Sequence, residues 1–211
     1  FFFIKIEKLY QTLLNVIAKT KNWNQLINIT DKAYSNKIIK KEEANENKSI
    51  ALFEIAKIKM KSDAKEAIKL IEKAISFKGN FSPYIKLYTQ LLFSTNNNDK
   101  ALKVLKKYWN QSPNNLLRSS ITEVLKENKI NEIEFIYRLI SKNQNSEESK
   151  KLLIDFAIYF NNWSIARDNI KGLIGTNPSR EICLFMSDIE LGEFNDIQKR
   201  EGWKLRANNS G

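Results

Sequence analysis

The chain has no His and a single Cys among its 211 residues. The absence of His removes most hydrolase triads, most zinc sites and the commonest haem ligand. One Cys cannot close an internal disulfide, so nothing in the sequence points to an oxidising compartment. Glycine and proline are scarce, with six and three residues. A β-sandwich or barrel needs many tight turns, so this scarcity predicts long helices joined by short connections. There is no glycine-rich phosphate loop, no nucleophile elbow and no metal-ligand spacing. No residue is assigned as catalytic, cofactor-binding or metal-binding, and the chain reads as a non-enzyme.

What is present is apolar and basic. Hydrophobic residues make up 42% of the chain, enough for a continuous core. The formal charge is +11, from 35 basic and 24 acidic residues. Such a surface attracts nucleic acid or anionic lipid. Here Lys is scattered through almost every expected helix and Arg, the better phosphate reader, is scarce. That pattern favours a Lys-coated helix array over a nucleic-acid binder. The opening "FFFIKIEKLY" has no Met, and its apolar run stops at Lys5. It is far short of the ~20 residues that cross a bilayer, and it lacks the basic leader and cleavage site of a signal peptide. The expectation is a piece of a longer protein, with Phe1 to Phe3 forming an exposed apolar patch.

Helix-period apolar patterns recur from end to end. Ile4, Leu9, Leu13, Leu14 and Ile17 mark a first amphipathic helix, and 22–34 a second. The polar stretch 36–48 reads as a loop or a solvated helix start. Segments 49–60 and 63–77 form the next pair, with Ser62-Asp63 as N-cap of the second member. Further pairs are 82–95 with 98–113, 116–128 with 131–143, 146–160 with 162–175, and 179–192 with 195–207. Nothing alternates with period two, so no strand is expected.

The pairs repeat. Ala67, Ala101 and Ala166 align; four residues on stand Ile71, Leu105 and Ile170, and seven on Ala74, Tyr108 and Leu173. Twelve on stand Gly79, Pro113 and Pro178. The first offset is 34 residues, the tetratricopeptide (TPR) period. A small residue lets paired helices cross closely, large apolar residues fill the next groove, and Pro stops the helix. The fold expected is all-α, a TPR-like superhelical solenoid of antiparallel helix pairs. Residues 1–211 are read as one domain, with 146–211 as its C-terminal repeat and capping helices.

The side chains that could be reactive fit this packing. Trp23 in "NWNQL" and Trp163 in "NWSIA" occupy matching places, each plugging the mouth of a helical hairpin. Cys183 shares a buried face with Ile182, Phe185, Met186 and Ile189. Arg180 precedes it by one turn, but no His base exists to support Cys chemistry. Met60, Met186 and Cys183 are soft ligands without a haem attachment motif. Asp188, Glu190 and Glu193 read as solvated surface or inter-repeat salt links. Aromatics such as Tyr84, Tyr88, Trp109 and Tyr137 could stack on a porphyrin, which leaves a haem or porphyrin carrier as one alternative function and a generic basic TPR adaptor for other partners as another.

The last third, from "SEESKKLLIDFAIYF" to "KLRA", resembles the closing region of the Hemy family, TPR-containing proteins associated with bacterial haem biosynthesis. The residues that carry the likeness are Trp163, Ala166 and Arg167; then Cys183, Leu184, Met186, Ile189 and Glu190; then Arg200, Glu201, Trp203, Arg206 and Ala207. Upstream, Ala101, Leu105, Trp109 and Pro113 resemble the family's Ala-Leu-Trp-Pro segment. The chain departs from the pattern at Asn114-Asn115, where the family has His-Pro, at Phe185 and at Gly202. The resemblance implies a protein anchored in the bacterial inner membrane upstream of Phe1, with this domain on the cytoplasmic side. It implies a non-enzymatic scaffold whose partners are membrane-associated haem-biosynthesis enzymes.

Overall fold

The computed structural model describes residues 2–130 and 132–209, with side chains from residue 8 onward except residue 18. The patch expected at Phe1 to Phe3, Ile4 of the first apolar pattern and Asn131 at the expected start of a helix lie outside that description. Among the described residues there are twelve helices and no strand, and neighbouring helices pack in pairs. The protein is all-α, built on the pairwise plan of a helical-repeat solenoid. It divides into two compact units, Phe1–Ala101 and Leu102–Gly211.

The first unit holds α1 (Phe2–Lys19), α2 (Trp23–Ser35), α3 (Lys41–Lys59), α4 (Ala64–Lys78), α5 (Ser82–Ser94) and the start of α6 (Asn98–Gln111). Successive helices from α1 to α5 pack on one another. Tyr10, Leu14 and Ile17 of α1 meet Leu26 and Ala33 of α2 and Ala44 of α3. Ala51 and Ala56 on α3, and Ala67 and Ala74 on α4, are fully buried. Alanine at these contacts lets the two axes approach closely. The second unit holds the rest of α6, α7 (Asn115–Glu127), α8 (Ile133–Ile140), α9 (Glu147–Tyr159), α10 (Trp163–Ile170), α11 (Arg180–Phe194) and α12 (Ile197–Asn209). Helix α9 lies at its centre, packing on α7, α8, α10 and α11.

The turns explain how so few glycines suffice. Lys21, Lys37, Asn96, Lys129 and Asn161 adopt left-handed φ between 55° and 58°. The next residue donates its N–H five residues back, as in Asn22 to Ile17, Asn97 to Leu92 and Asn162 to Ala157. This is the Schellman arrangement, which satisfies the last carbonyls of a helix and usually calls for Gly. Here Lys or Asn takes the position. Asn22 and Asn162 then cap the following helix through their side chains, accepting from Gln25 and Ile165. Asp63 caps α4 as expected, accepting from the Glu66 N–H at 3.0 Å.

Two stretches refine the sequence reading. Of 36–48, residues 41–48 are the start of α3, so the helical alternative is the correct one. Glu42 and Glu43 face the positive end of the helix dipole. Lys48 pairs with Asp31 and Glu46 with Lys78, which ties this polar turn to the helices on either side. Helix α10 ends at Ile170, short of 175, and a turn follows in which the Leu173 N–H donates to the Ile170 carbonyl. Leu173 and Ile174 still pack on the core formed by α9, α10 and α11.

Candidate binding face of the second unit

The first helices of three successive pairs, α7, α9 and α11, pack side by side. Pro113 cannot continue α6. Asn114, where the HemY pattern has His, accepts from the Leu117 N–H at 2.9 Å and starts α7. Leu117, Ile121, Val124 and Leu125 then take the core face. That placement carries Arg118 inward, and its side chain is only 5% exposed. Ser146 caps α9 and is followed by Glu147 and Glu148, both favourable in a first helical turn. Glu181 holds the same place at the start of α11.

Each guanidinium nitrogen of Arg118 donates to a different carboxylate. Nε reaches Glu148 Oε2 at 2.9 Å and Nη1 reaches Asp155 Oδ2 at 2.5 Å. Nη2 donates to Glu181 Oε1. Lys151, also nearly buried, meets Glu147 at 2.8 Å, Glu181 at 3.0 Å and Glu148 at 3.8 Å. A planar fork suits such multiple pairing better than an ammonium does. Burial opposes the charges of Arg118 and Lys151, but their carboxylate partners outweigh it and hold both above their ordinary pKa. Burial also pushes Glu181 up, yet its bonds to Arg118 and Lys151 prevail and its carboxyl sits below the usual range. At Asp155 burial wins over the attraction of Arg118 and raises the carboxyl.

Beside this network lies an open pocket of about 360 Å³, whose walls include Thr122, Glu123 and Asp155. A small apolar crevice of about 10 Å³ adjoins it, lined by Leu152, Phe156 and Tyr159 among others. Thr122 and Lys126 belong to both. The Lys126 ammonium stands 4.7 Å from the Tyr159 ring centre, and Tyr159 meets Phe160 edge-on. The face therefore offers fixed carboxylate acceptors next to aromatic surface.

The repeat-marking residues stand elsewhere. Ala67, Ala101 and Ala166 are fully buried, as are Ile71, Leu105 and Ile170 to within 1%. Trp23 is partly buried against the first unit's core. Trp109 is fully buried, and its indole N–H donates to Ser149 Oγ at 2.9 Å. The Trp163 ring lies flush against Gly192 of α11, where a Cβ would come within 2.2 Å of it. Pro178 is buried, and Cys183, fully buried, points its thiol at the Pro178 carbonyl. Trp203 on α12 is half-buried, with the Arg206 guanidinium 5.4 Å from its ring centre. These positions are packing features spread over six helices and the turn at Pro178, and they do not converge on one site.

Of the aromatics considered for a macrocycle, Tyr84, Tyr88 and Trp109 belong to the core and only Tyr137 is exposed. The Tyr84 hydroxyl lies 3.1 Å from Ser49 Oγ. Tyr88 donates to Glu72, and burial together with that carboxylate raises it to about 12. Two of the acidic trio near the end of α11 form links between helices, and Asp188 is exposed. Glu193 pairs with Arg167 of α10, and Glu190 with Lys199 of α12 at 3.8 Å. Among the described residues no group of three or more His, Cys, Asp or Glu could hold a metal.

Periodicity alone did not single out Arg118, Lys151, Glu148, Asp155 or Glu181. A signal was present: Arg118 sits three residues before buried Ile121, on the apolar side of α7. Glu148 and Asp155 are seven apart, hence on one side of α9. The fold defines an all-α protein of helical-repeat type. No protein-family model matches the chain, and no curated protein matches it significantly.

Proposed function

We propose that the chain is a non-enzymatic TPR-like scaffold that binds partner proteins through the face of α7, α9 and α11. The observation that carries this reading is the open pocket of about 360 Å³ on that face, beside the charge network of Arg118. Solenoids use the surface of successive first helices in this way. The likeness to the HemY family suggests the partners, which are membrane-associated enzymes of late haem synthesis. It also suggests a location at the bacterial inner membrane, with this domain on the cytoplasmic side. No helix among the described residues is long and apolar enough to cross a membrane, so in this reading the anchor lies outside them.

A pulldown tests the proposal, with the 211-residue chain as bait and purified haem-pathway enzymes as prey. Enrichment of at least one enzyme over a bait with scrambled surface charges is the expected result. Equal recovery on both baits for every enzyme would remove the haem-synthesis reading.

A further inference from the structure

Helix α12 holds a glycine that the fold does not need. Gly202 stands in the middle of the helix, where glycine is less stable than alanine. Inside a fold, glycine is called for by a left-handed φ or by a neighbour too close for a side chain. Neither holds for Gly202. It is helical without a positive φ, and a Cβ there would meet nothing within 4 Å. Gly192 is the opposite case, because the Trp163 ring fills its missing side chain from within. The use that remains for Gly202 is the close approach of another molecule to the backbone. Gly202 is also a position at which the chain departs from the HemY pattern, so the feature does not come with that likeness.

An open pocket of about 270 Å³ lies over Gly202, walled by Lys199, Trp203 and Arg206. The four residues follow one side of α12, at i, i+3, i+4 and i+7. Leu205, three residues from Gly202, adds apolar surface and is 65% exposed. The Lys199 side chain is 62% exposed, and its pairings with Asp196 and Glu190, at 3.4 and 3.8 Å, are too long for good hydrogen bonds. Arg206 is held in place, donating to the Thr176 carbonyl at 2.7 Å and standing against the Trp203 ring. The helix packs on α11 and buries Ala207, while Gly202 faces outward.

The spacing of these groups names the occupant. Lys199 and Arg206 are two turns apart, about 10 Å along the axis. A second α-helix presents side chains at the same interval, and glycine at the contact lets the two axes approach closely. Carboxylates at i and i+7 of that helix meet the two cations. Apolar side chains at i+3 and i+4 meet Gly202, Trp203 and Leu205. A single-stranded nucleic acid fits less well, because it stacks on successive rings and this side of α12 offers one. We infer that α12 docks an acidic amphipathic helix of a partner protein, laid along Lys199, Gly202, Trp203 and Arg206. This surface shares no residue with the α7–α9–α11 pocket, and its partner is defined by chemistry rather than by the haem pathway.

Fluorescence anisotropy on the intact chain tests this with labelled synthetic ligands. The first is a helical peptide with Glu at every seventh position and Leu three and four residues after each Glu. In the second every Glu is replaced by Lys. The third is the first with a central Pro, which breaks the helix. The fourth is oligouridylate, a polyanion without apolar side chains. The first should bind saturably and at least about tenfold more tightly than each of the others. Gly202→Ala separates binding from folding: it should raise the melting temperature and yet weaken the first peptide by about threefold or more. Lys199→Ala should weaken it by a similar factor, with an unchanged circular dichroism spectrum. No saturable binding of the first peptide, equal binding of any of the other three, or a Gly202→Ala variant that binds as tightly as the parent would each overturn the inference. Peptide binding without enrichment in the pulldown would keep this surface and remove the haem partners. Enrichment without peptide binding would keep the scaffold reading and remove this surface.

Discussion

The two units spend their charge differently. Residues 1–101 carry eighteen Lys, no Arg and ten carboxylates; residues 102–211 carry eleven Lys, all six Arg and fourteen carboxylates. In the first unit ion pairs are single and lie near the surface, as in Lys57 with Glu54 and Lys100 with Glu72. In the second, one buried Arg gathers three carboxylates from two neighbouring helices. A compact ammonium stays hydrated and pairs weakly, whereas a guanidinium can leave water if its fork is filled. Most of the excess positive charge therefore sits in the first unit. The second unit, nearer neutrality, builds an acidic recess.

The largest expected break in this contrast is Arg118→Ala. It leaves Glu148, Asp155 and Glu181 facing one another without their shared cation, and should cost about 3–5 kcal/mol. Lys100→Ala in the first unit should cost no more than about 1 kcal/mol. Urea denaturation of the two variants measures both, and similar losses would erase the distinction drawn between the units.

Next is a pair of glycines in the second unit. Gly192→Ala drives a methyl into the Trp163 ring and should cost about 1–3 kcal/mol. Gly202→Ala on α12 meets nothing within 4 Å and should stabilise by about 0.5–1 kcal/mol. Thermal melts should move in opposite directions.

The caps test what the units share. Asn22→Ala and Asn162→Ala each remove a side-chain acceptor from a helix start, and each should cost about 1 kcal/mol. A clear inequality would show that the two hairpins are equivalent in sequence but not in energy.

The smallest effect lies in the response to acid. Glu181 in the second unit and Glu72 in the first sit below the ordinary range, so the stability each lends is present above its unfolded pKa. It is lost as pH falls through the folded value. Asp155 sits above the ordinary range, so its protonation favours the folded state and stability rises as pH falls through its native pKa. Site-resolved NMR titration should find Asp155 above the ordinary aspartate value and both glutamates below the ordinary glutamate value.

Helix periodicity made the hairpins legible, because it needs only neighbours three and four residues apart. The close contacts at Ala67, Ala101 and Ala166, the cap at Asp63 and the burial of Cys183 follow from it. The Arg118 clamp does not, since its partners lie 30, 37 and 63 residues away. Periodicity shows which face a side chain occupies, but not which distant chain segment is brought to it. The fit of Trp163 on Gly192 was hidden for the same reason. The stretch 36–48 left a loop and a solvated helix start both open because the polar residues of 41–48 pair across helices, a use of charge that composition does not distinguish from solvation.

The guanidinium of Arg118 also has a mechanical consequence. Apolar helix interfaces slide and yield gradually, because many weak contacts can exchange one after another. At Arg118, α7, α9 and α11 share a single rigid plane of donors, so any shear between them strains several charge-assisted bonds together. Under load this part of the stack should deform as a block, with the compliance displaced to the helices on either side of it.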